Sequence, residues 1–217
     1  MRRFALLLLL GAAAAAGLRA APLERDLGAG LLYFRVHKLP DDLPSAEEAA
    51  GRCVVLDIRF VQGDAIDGAD LFAWLRHQAS LRHPVLLLAN QETGPALLTP
   101  LDSPDAVVGL IILGPSASGF TPDIAIDVSP KVDRRAYEAL EHGATVDSLT
   151  VYNPVKTRED EAMLVREHLP DYALGDTDDD SDQSATSQPA PTPPLQDAVL
   201  KRAIQLDRAL LALKRID

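Results

Sequence analysis

Four apolar segments, separated by helical patterns and turn residues, constrain the fold of this chain more than any other feature. Residues 54–58, 84–89 and 107–113 are almost continuously apolar, and residues 124–128 alternate between apolar and polar side chains. Continuous apolar runs of this length are typical of strands that are covered on both faces of a parallel sheet. Strands that alternate with helices require crossover connections. The sequence therefore predicts a layered α/β domain with a largely parallel sheet.

One more strand and several helices complete the predicted domain. Aromatic and branched residues favour a strand over residues 30–37. Ser45 and Glu48 have the spacing of a capping box, which predicts that a short helix begins after Ser45. The predicted helices cover residues 46–51, 69–78, 134–142 and 158–168, with a helical turn over residues 96–101.

The amino-terminal residues have the pattern of an export signal. Arg2 and Arg3 precede an apolar stretch, and small residues follow near Ala20 and Ala21. We therefore predict a signal peptide over residues 1–21 and an exported protein, periplasmic or extracellular. A membrane anchor is the alternative, but the stretch is short for a helix that crosses about 30 Å of hydrocarbon. We expect no stable transmembrane anchor.

The net charge and the cysteine content exclude two kinds of binding partner and an internal disulfide. The formal net charge is −11, and export would remove three arginines with the signal peptide. Nucleic acids and anionic lipid surfaces would repel so acidic a protein, so neither is expected as a partner. The single cysteine, Cys53, cannot form an internal disulfide, and its apolar surroundings predict a buried thiol.

The character of the chain changes after the predicted domain, which spans residues 22–170. Residues 171–194 carry six aspartates and several prolines, with no basic residue, and predict a disordered linker. A calcium site is the alternative, but the central glycine and terminal glutamate of a calcium-binding loop are missing. Residues 195–217 then predict an amphipathic helix. Its partner is the chain's own domain, another copy of the helix, or a different protein. The predicted apolar stripe consists of Leu195, Val199, Ala203, Leu206, Leu210 and Leu213.

Three short motifs follow each other in a fixed order along the chain. They are LDIR at residues 56–59, the segment NQETGPA at residues 90–96, and TPD at residues 121–123. Together they resemble the motifs of the carboxyl-terminal (tail-specific) processing peptidases. The resemblance implies a crotonase/Clp-protease-like fold. It also implies that residue 95 stands where these peptidases carry their nucleophilic serine.

The chain departs from the family pattern at the positions that carry catalysis. Pro95 replaces the serine and Gly94 the preceding alanine, whereas Thr93 and Ala96 match the motif. Proline has neither a hydroxyl nor an amide hydrogen, so it supplies neither a nucleophile nor an oxyanion donor. The segment of residues 114–119, where the resemblance places a base lysine, contains no lysine. The resemblance therefore implies a catalytically degenerate relative.

The remaining motif residues are candidates for a binding groove. They are Asp57, Arg59, Gly63, Asn90 and Thr93, and the resemblance implies an extended peptide or an envelope protein as the ligand. The alternative is structural. Asp57 and Arg59 then shape the end of a strand, and Thr93 is the N-cap of a helix that contains Pro95. No cofactor is expected, and no metal site, because the histidines lack ligand spacing.

Three functions remain open at this point. The first is an exported, non-catalytic binding or scaffold protein derived from a serine processing peptidase. The second is a serine- or threonine-type hydrolase with a rearranged active site, in which Thr93, Ser116 or Ser118 supplies the hydroxyl. The third is a structural envelope protein that acts through its C-terminal helix, which also leaves a homo-oligomer open.

Overall fold

The computed structural model describes residues 23–101, 107–151 and 194–216. The predicted signal peptide, the predicted helix over residues 158–168 and the linker up to residue 193 lie outside the described residues. Within the described ranges, no helix has the length and apolar character needed to span a membrane.

The described chain forms one six-stranded sheet whose strands follow each other in chain order. The first strand is antiparallel to the second, and all other neighbours are parallel. The prediction of an α/β fold with a largely parallel sheet is thus confirmed. The strands are β1 (Leu23–Asp26), β2 (Leu31–Arg35), β3 (Cys53–Asp57), β4 (Val85–Leu88), β5 (Leu110–Gly114) and β6 (Ile124–Ala125).

Strand β1 was not expected from the sequence. Three of its four residues are charged, so it lacks the apolar residues by which the other strands were predicted. A tight turn joins it to β2, and Gly28, Ala29 and Gly30 all have positive φ in that turn. The turn, rather than apolar burial, brings β1 back alongside β2.

Six described helices, numbered here in chain order, connect and cover the strands. Ser45 and Glu48 form the expected capping box before α1. The second helix begins four residues earlier than predicted because Asp64 and Asp67 form another capping box. The helices are α1 (Ala46–Ala49), α2 (Ala65–Gln78), α3 (Pro95–Leu98), α4 (Pro130–Glu141), α5 (Val146–Thr150) and α6 (Ala198–Ala212).

Both faces of the sheet are covered by helices. Leu32 and Phe34 of β2 point to the face that packs against α1, α2 and α3. Leu31 and Tyr33 alternate with them and point to the face that packs against α4, α5 and α6. Burial on both faces explains why the central strands are continuously apolar instead of alternating.

Helix α6 packs against the second face of the chain's own sheet. Its buried apolar residues are Val199, Leu200, Ala203 and Ile204. The buried stripe is therefore rotated relative to the predicted one, and Leu213 at its end is 69% exposed. Ahead of α6, the backbone N–H of Asp197 donates to the carbonyl of Leu149 at 2.9 Å. That hydrogen bond joins the start of α6 to α5 across the intervening chain.

Candidate functional site

The loops after β3 and β4 bring most of the candidate residues together at one edge of the sheet. Parallel strands end at a common edge, which is where α/β proteins usually bind ligands. Asp57 is the last residue of β3, and Arg59 follows two positions later. Asn90 and Thr93 follow β4. All four side chains are buried.

Arg59 is the centre of a buried network of charges. Its guanidinium donates to both oxygens of Asp57, with Nε–Oδ1 at 3.0 Å and Nη2–Oδ2 at 2.7 Å. It also donates to Asp133 of α4 at 2.8 Å and to Asp197 ahead of α6 at 2.8 Å. Three carboxylates from three parts of the chain thus share one cation. The network holds α4 and α6 against the end of β3.

The network shifts the pKa values of Arg59 and Tyr33. Burial by itself lowers the pKa of Arg59, but the charges of Asp197 and Asp57 outweigh that effect and raise the pKa well above its ordinary value. The hydroxyl of Tyr33 donates to Asp57 at 2.9 Å. Burial, and then the charge of Asp57, raise the pKa of Tyr33 well above its usual range. Neither group can therefore act as a general base near neutral pH.

A second arginine extends the polar layer along the same edge. Arg35, at the end of β2, stacks over the ring of Tyr137 with its Cζ 3.3 Å from the ring centre. It donates to the Tyr137 carbonyl at 2.8 Å and lies 3.0 Å from the carboxylate of Glu141. The same Glu141 oxygen lies 3.0 Å from Nε2 of His37. Arg35 therefore ties the end of β2 to α4.

Thr93 closes a turn instead of capping the next helix. Its hydroxyl accepts from the backbone N–H of Asn90 at 3.1 Å and donates to the carbonyl of Ile58 at 3.2 Å. The N-cap of α3 is Gly94, which has no side chain to form a capping bond. The expectation that Thr93 caps this helix is wrong, because its hydroxyl already has backbone partners on both sides. Pro95 does occupy the first turn of α3, as expected.

The loops around Pro95 are packed against each other. The N–H of Gly94 donates to the carbonyl of Val61 at 2.8 Å. A Cβ atom on Gly94 would lie 3.1 Å from the backbone nitrogen of Gly63, and one on Gly63 would lie 2.7 Å from a methyl of Leu97. The carbonyl of Ala96 is in close contact with Gly68 of α2. Glycine is therefore required at Gly68, where a Cβ atom would lie 2.3 Å from the carbonyl oxygen of Ala96, and Gly63 and Gly94 leave little space for a larger residue.

A small cavity of about 60 Å³ lies between the loops that follow β3, β4 and β5. Its lining is half apolar and half polar. The apolar residues are Phe60, Pro115, Ala117, Val128 and Pro130, and the polar ones are Asn90, Gln91, Glu92, Ser116 and Asp133. Phe60 has a positive φ of 66°, which is rare for an aromatic residue and is typical of strained functional loops. Arg134 stacks over the Phe60 ring at 4.2 Å and pairs with Glu92, which holds the cavity wall in place.

The three hydroxyls considered as nucleophiles have different surroundings. Thr93 is 2% exposed, whereas Ser116 and Ser118 lie on the exposed loop after β5. In the part of the chain that the structure describes, none of the three is hydrogen-bonded to a histidine or a lysine. The same residues include no group of three histidine, cysteine, aspartate or glutamate side chains arranged for a metal ion.

Asp133 and Asp197 were missed by the sequence analysis, although both bind Arg59. They lie 74 and 138 residues away from it along the chain, beyond the reach of any local motif. Asp197 does carry a local signal, because an aspartate ahead of an amphipathic segment is a usual N-cap. In the structure its side chain accepts from the N–H of Leu200 at 2.9 Å.

Comparisons with known proteins assign no function to this group of residues. No protein-family model matches the chain, and no curated protein matches it. What the protein does therefore has to be inferred from the site itself, together with the motifs at residues 56–59, 90–96 and 121–123.

Proposed function

We propose that this chain is an exported, non-catalytic binding or scaffold protein, derived from a serine processing peptidase and built on a crotonase/Clp-protease-like domain. One observation carries the proposal. The position that would hold the nucleophile is Pro95, while the polar groups around it are buried and bonded to each other.

The order of the strands is in keeping with such a domain. The strands β2 to β6 are parallel neighbours in chain order, so successive crossovers run in one direction. The helices between β2 and β5 lie on one face, and the later helices cover the other. This layering, together with the order of the three motifs, supports the proposed ancestry.

The chemistry of the site supports binding over hydrolysis. Acyl transfer needs a hydroxyl, a base that takes its proton, and N–H groups aimed at the oxyanion. Pro95 offers neither a hydroxyl nor an N–H. The hydroxyl of the adjacent Thr93 donates its proton to the Ile58 carbonyl, and the N–H of Gly94 donates to the Val61 carbonyl. Each available group near the site is thus committed to the fold.

The ligand that suits the remaining space is an extended peptide segment of an envelope protein. The apolar walls of the cavity at the carboxyl ends of the strands fit one small aliphatic side chain. Ser116 is exposed and lines the same cavity, so its hydroxyl is a candidate contact for a peptide backbone. A single side-chain pocket with polar groups at the rim is a common way to recognise an extended peptide.

A fluorophosphonate probe separates binding from hydrolysis. We expect no labelling of the folded full-length chain and no cleavage of a mixed peptide library. The Pro95→Ser variant should also remain unlabelled, because the segment of residues 114–119, where the resemblance places the base, contains no lysine. Stoichiometric labelling of the wild type that is lost in Thr93→Val, Ser116→Ala or Ser118→Ala would establish the rearranged hydrolase instead.

Filling the cavity tests the binding site. We expect an array of immobilised peptides to bind the wild type and to lose that binding in Ala117→Phe, since the new ring would occupy the cavity. Ala73→Phe, on the exposed surface of α2, is the matched control and should bind like the wild type. Equal binding by both variants would place the ligand elsewhere.

Export is tested by expressing the full chain in a Gram-negative host and measuring the mass of the protein in each fraction. The proposal requires a periplasmic or secreted product that lacks about the first 21 residues. An uncleaved product that stays with the membranes would favour the anchor.

A further inference from the structure

A cleft of about 550 Å³ opens between the end of β1, helix α5 and helix α6, and every residue that lines it belongs to the described ranges. Its lining shares no residue with the cavity at the carboxyl ends of the strands. Its volume lies within the range of about 300–1,000 Å³ that is typical of small-molecule sites. The cleft is therefore large enough for a small organic ligand.

The fold holds the walls of this cleft in place. Ile204 of α6 is buried in the apolar core on the second face of the sheet, and Leu27 and Val146 pack against that core. The backbone N–H of Asp197 donates to the carbonyl of Leu149, which joins α5 to the chain ahead of α6. A ligand therefore meets a preformed cleft, in which only exposed side chains have to be ordered on binding.

Charges of both signs line the cleft without pairing with each other. The lining includes Arg25 of β1 and Arg208 of α6, together with Asp26 and Asp147, and all four residues are exposed. Among the described residues, neither arginine lies within ion-pair distance of a carboxylate. Neither of the two aspartates lies within ion-pair distance of a cation in the same part of the chain. Two cations and two carboxylates are thus available to a ligand at one cleft.

This mixture of charges fits a zwitterion better than an ion of one sign. A simple anion would meet Asp26 and Asp147, and it would also be repelled by a chain of net charge −11. A simple cation would meet Arg25, Arg208 and the further lining cation Lys201. A molecule of zero net charge that carries one carboxylate and one ammonium avoids the long-range repulsion. It can also place each group against its opposite charge.

We propose that the cleft between β1, α5 and α6 binds a small zwitterion of the amino-acid and short-peptide class. The carboxylate of the ligand pairs with Arg25 and Arg208, since a guanidinium can donate two parallel hydrogen bonds to a carboxylate. The ammonium of the ligand pairs with Asp26 and Asp147. Capture of a free carboxylate or a free amine is a recurrent way to recognise peptide ends. This site does not depend on the proposed peptide binding at the carboxyl ends of the strands.

Titration of the full-length chain with triglycine, followed through its amide NMR signals, tests the site. We expect saturable shifts at Gly28, Thr145 and Gln205, which line the cleft. N-acetyl-triglycine lacks the ammonium, and triglycine amide lacks the carboxylate. Each should bind about three- to fivefold more weakly than triglycine, which is the effect expected for losing exposed ion pairs. Tighter binding of glycine would assign the site to amino acids, and tighter binding of triglycine to short peptides.

Charge variants assign each end of the ligand to its partners. Arg25→Gln/Arg208→Gln should remove the preference for triglycine over its amide and keep the preference over the acetylated peptide. Asp26→Asn/Asp147→Asn should have the opposite effect. A merely structural role of these side chains would not separate the two preferences.

Two controls separate this site from other causes of binding. Arg52→Gln/Arg76→Gln, an exposed pair outside the cleft with the same change in charge, should bind triglycine like the wild type. Ala117→Phe, directed at the other cavity, should also leave the shifts unchanged, so failure of that binding site is distinguishable from failure of this one. Three outcomes would overturn the proposal: no saturable shifts at the cleft, equal affinities for the three peptides, or wild-type preferences in both cleft variants.

Discussion

At Arg59, a fully buried cation is shared by carboxylates that enter from a strand, a helix and the chain before the last helix. Taking such charges out of water is costly, and their attraction compensates only when every partner is present. The hydrogen bonds from Tyr33 to Asp57 and from Asn90 to Asp133 satisfy further lone pairs. Arg59 therefore serves the fold, and its position beside the sheet edge is explained without a ligand.

Replacing Arg59 with Leu should lower the free energy of unfolding by about 3–5 kcal/mol, because three buried carboxylates lose their common partner. Urea denaturation measures the change. The control is Arg52→Leu at an exposed position, which should stay within about 0.5 kcal/mol of the wild type. A loss below about 1 kcal/mol for Arg59→Leu would mean that water already reaches the network.

Asp207 is a further buried carboxyl, and its effect on stability depends on pH in a different way. It lies on the buried side of α6, where desolvation raises its pKa, while a hydrogen bond from Cys53 and the charge of Arg208 act in the opposite direction. A raised pKa in the folded state means that folding favours the protonated form. The stability that Asp207 contributes is therefore fully present below the ordinary Asp pKa of about 3.9. That contribution is lost as the pH rises through the raised pKa of the folded state.

We expect Asp207→Asn to be more stable than the wild type at pH 7, since the amide carries no charge to desolvate. The difference should shrink as the pH is lowered toward about 4. Urea midpoints measured across this range test the sign. A variant that is less stable than the wild type at pH 7 would show that the Asp207 carboxylate is stabilised by its neighbours.

Among the elements, α6 depends most on contacts that are distant in sequence. Asp197 caps the helix through the Leu200 N–H and pairs with Arg59, so one side chain both begins the helix and attaches it. The apolar residues that follow cover the sheet face between β3 and β5. Without α6 this face would be exposed to water.

Leu200→Ala should destabilise the protein by about 2–5 kcal/mol, because Leu200 is fully buried and its removal leaves a cavity against the sheet. The same substitution at Leu213, which is 69% exposed, should have an effect within about 0.5 kcal/mol. Thermal and urea unfolding compare the two variants. Equal small effects would show that α6 is not packed on the sheet in solution.

For the whole molecule, the sheet has a protected centre and two short edges. The strands β3 and β4 are buried on both faces and paired on both sides. At the edges of the described sheet, β1 is paired with β2 alone among the described strands, and β6 contributes two residues. Local opening needs the least free energy where few buried contacts must break.

Hydrogen exchange followed by mass spectrometry should therefore find the slowest amides in Cys53–Asp57 and Val85–Leu88. Exchange in Leu23–Asp26 and Ile124–Ala125 should be faster under the same conditions. Edge strands as protected as the central ones would indicate that another chain pairs with them, as in a homo-oligomer.

Several features of the candidate site could be predicted only in part. The identity of Pro95 and its place in the first turn of α3 follow from local sequence. The role of Thr93 does not, because a threonine ahead of a helix has the pattern of an N-cap. Here the Ile58 carbonyl, brought close by the neighbouring strand, takes its proton instead. A local sequence pattern contains no information about backbone groups that a distant segment brings close.

The sequence by itself determined the class of fold, because runs of apolar residues buried on both faces are compatible with few arrangements other than a parallel sheet between helices. It also determined that residue 95 is a proline, which has no hydroxyl. Only the tertiary structure decided which carboxylates surround Arg59, that the loops of Gly63 and Gly94 touch, and which face of α6 is buried. Burial patterns repeat along a strand or helix and can be predicted locally, whereas ion pairs and loop contacts depend on where distant segments meet.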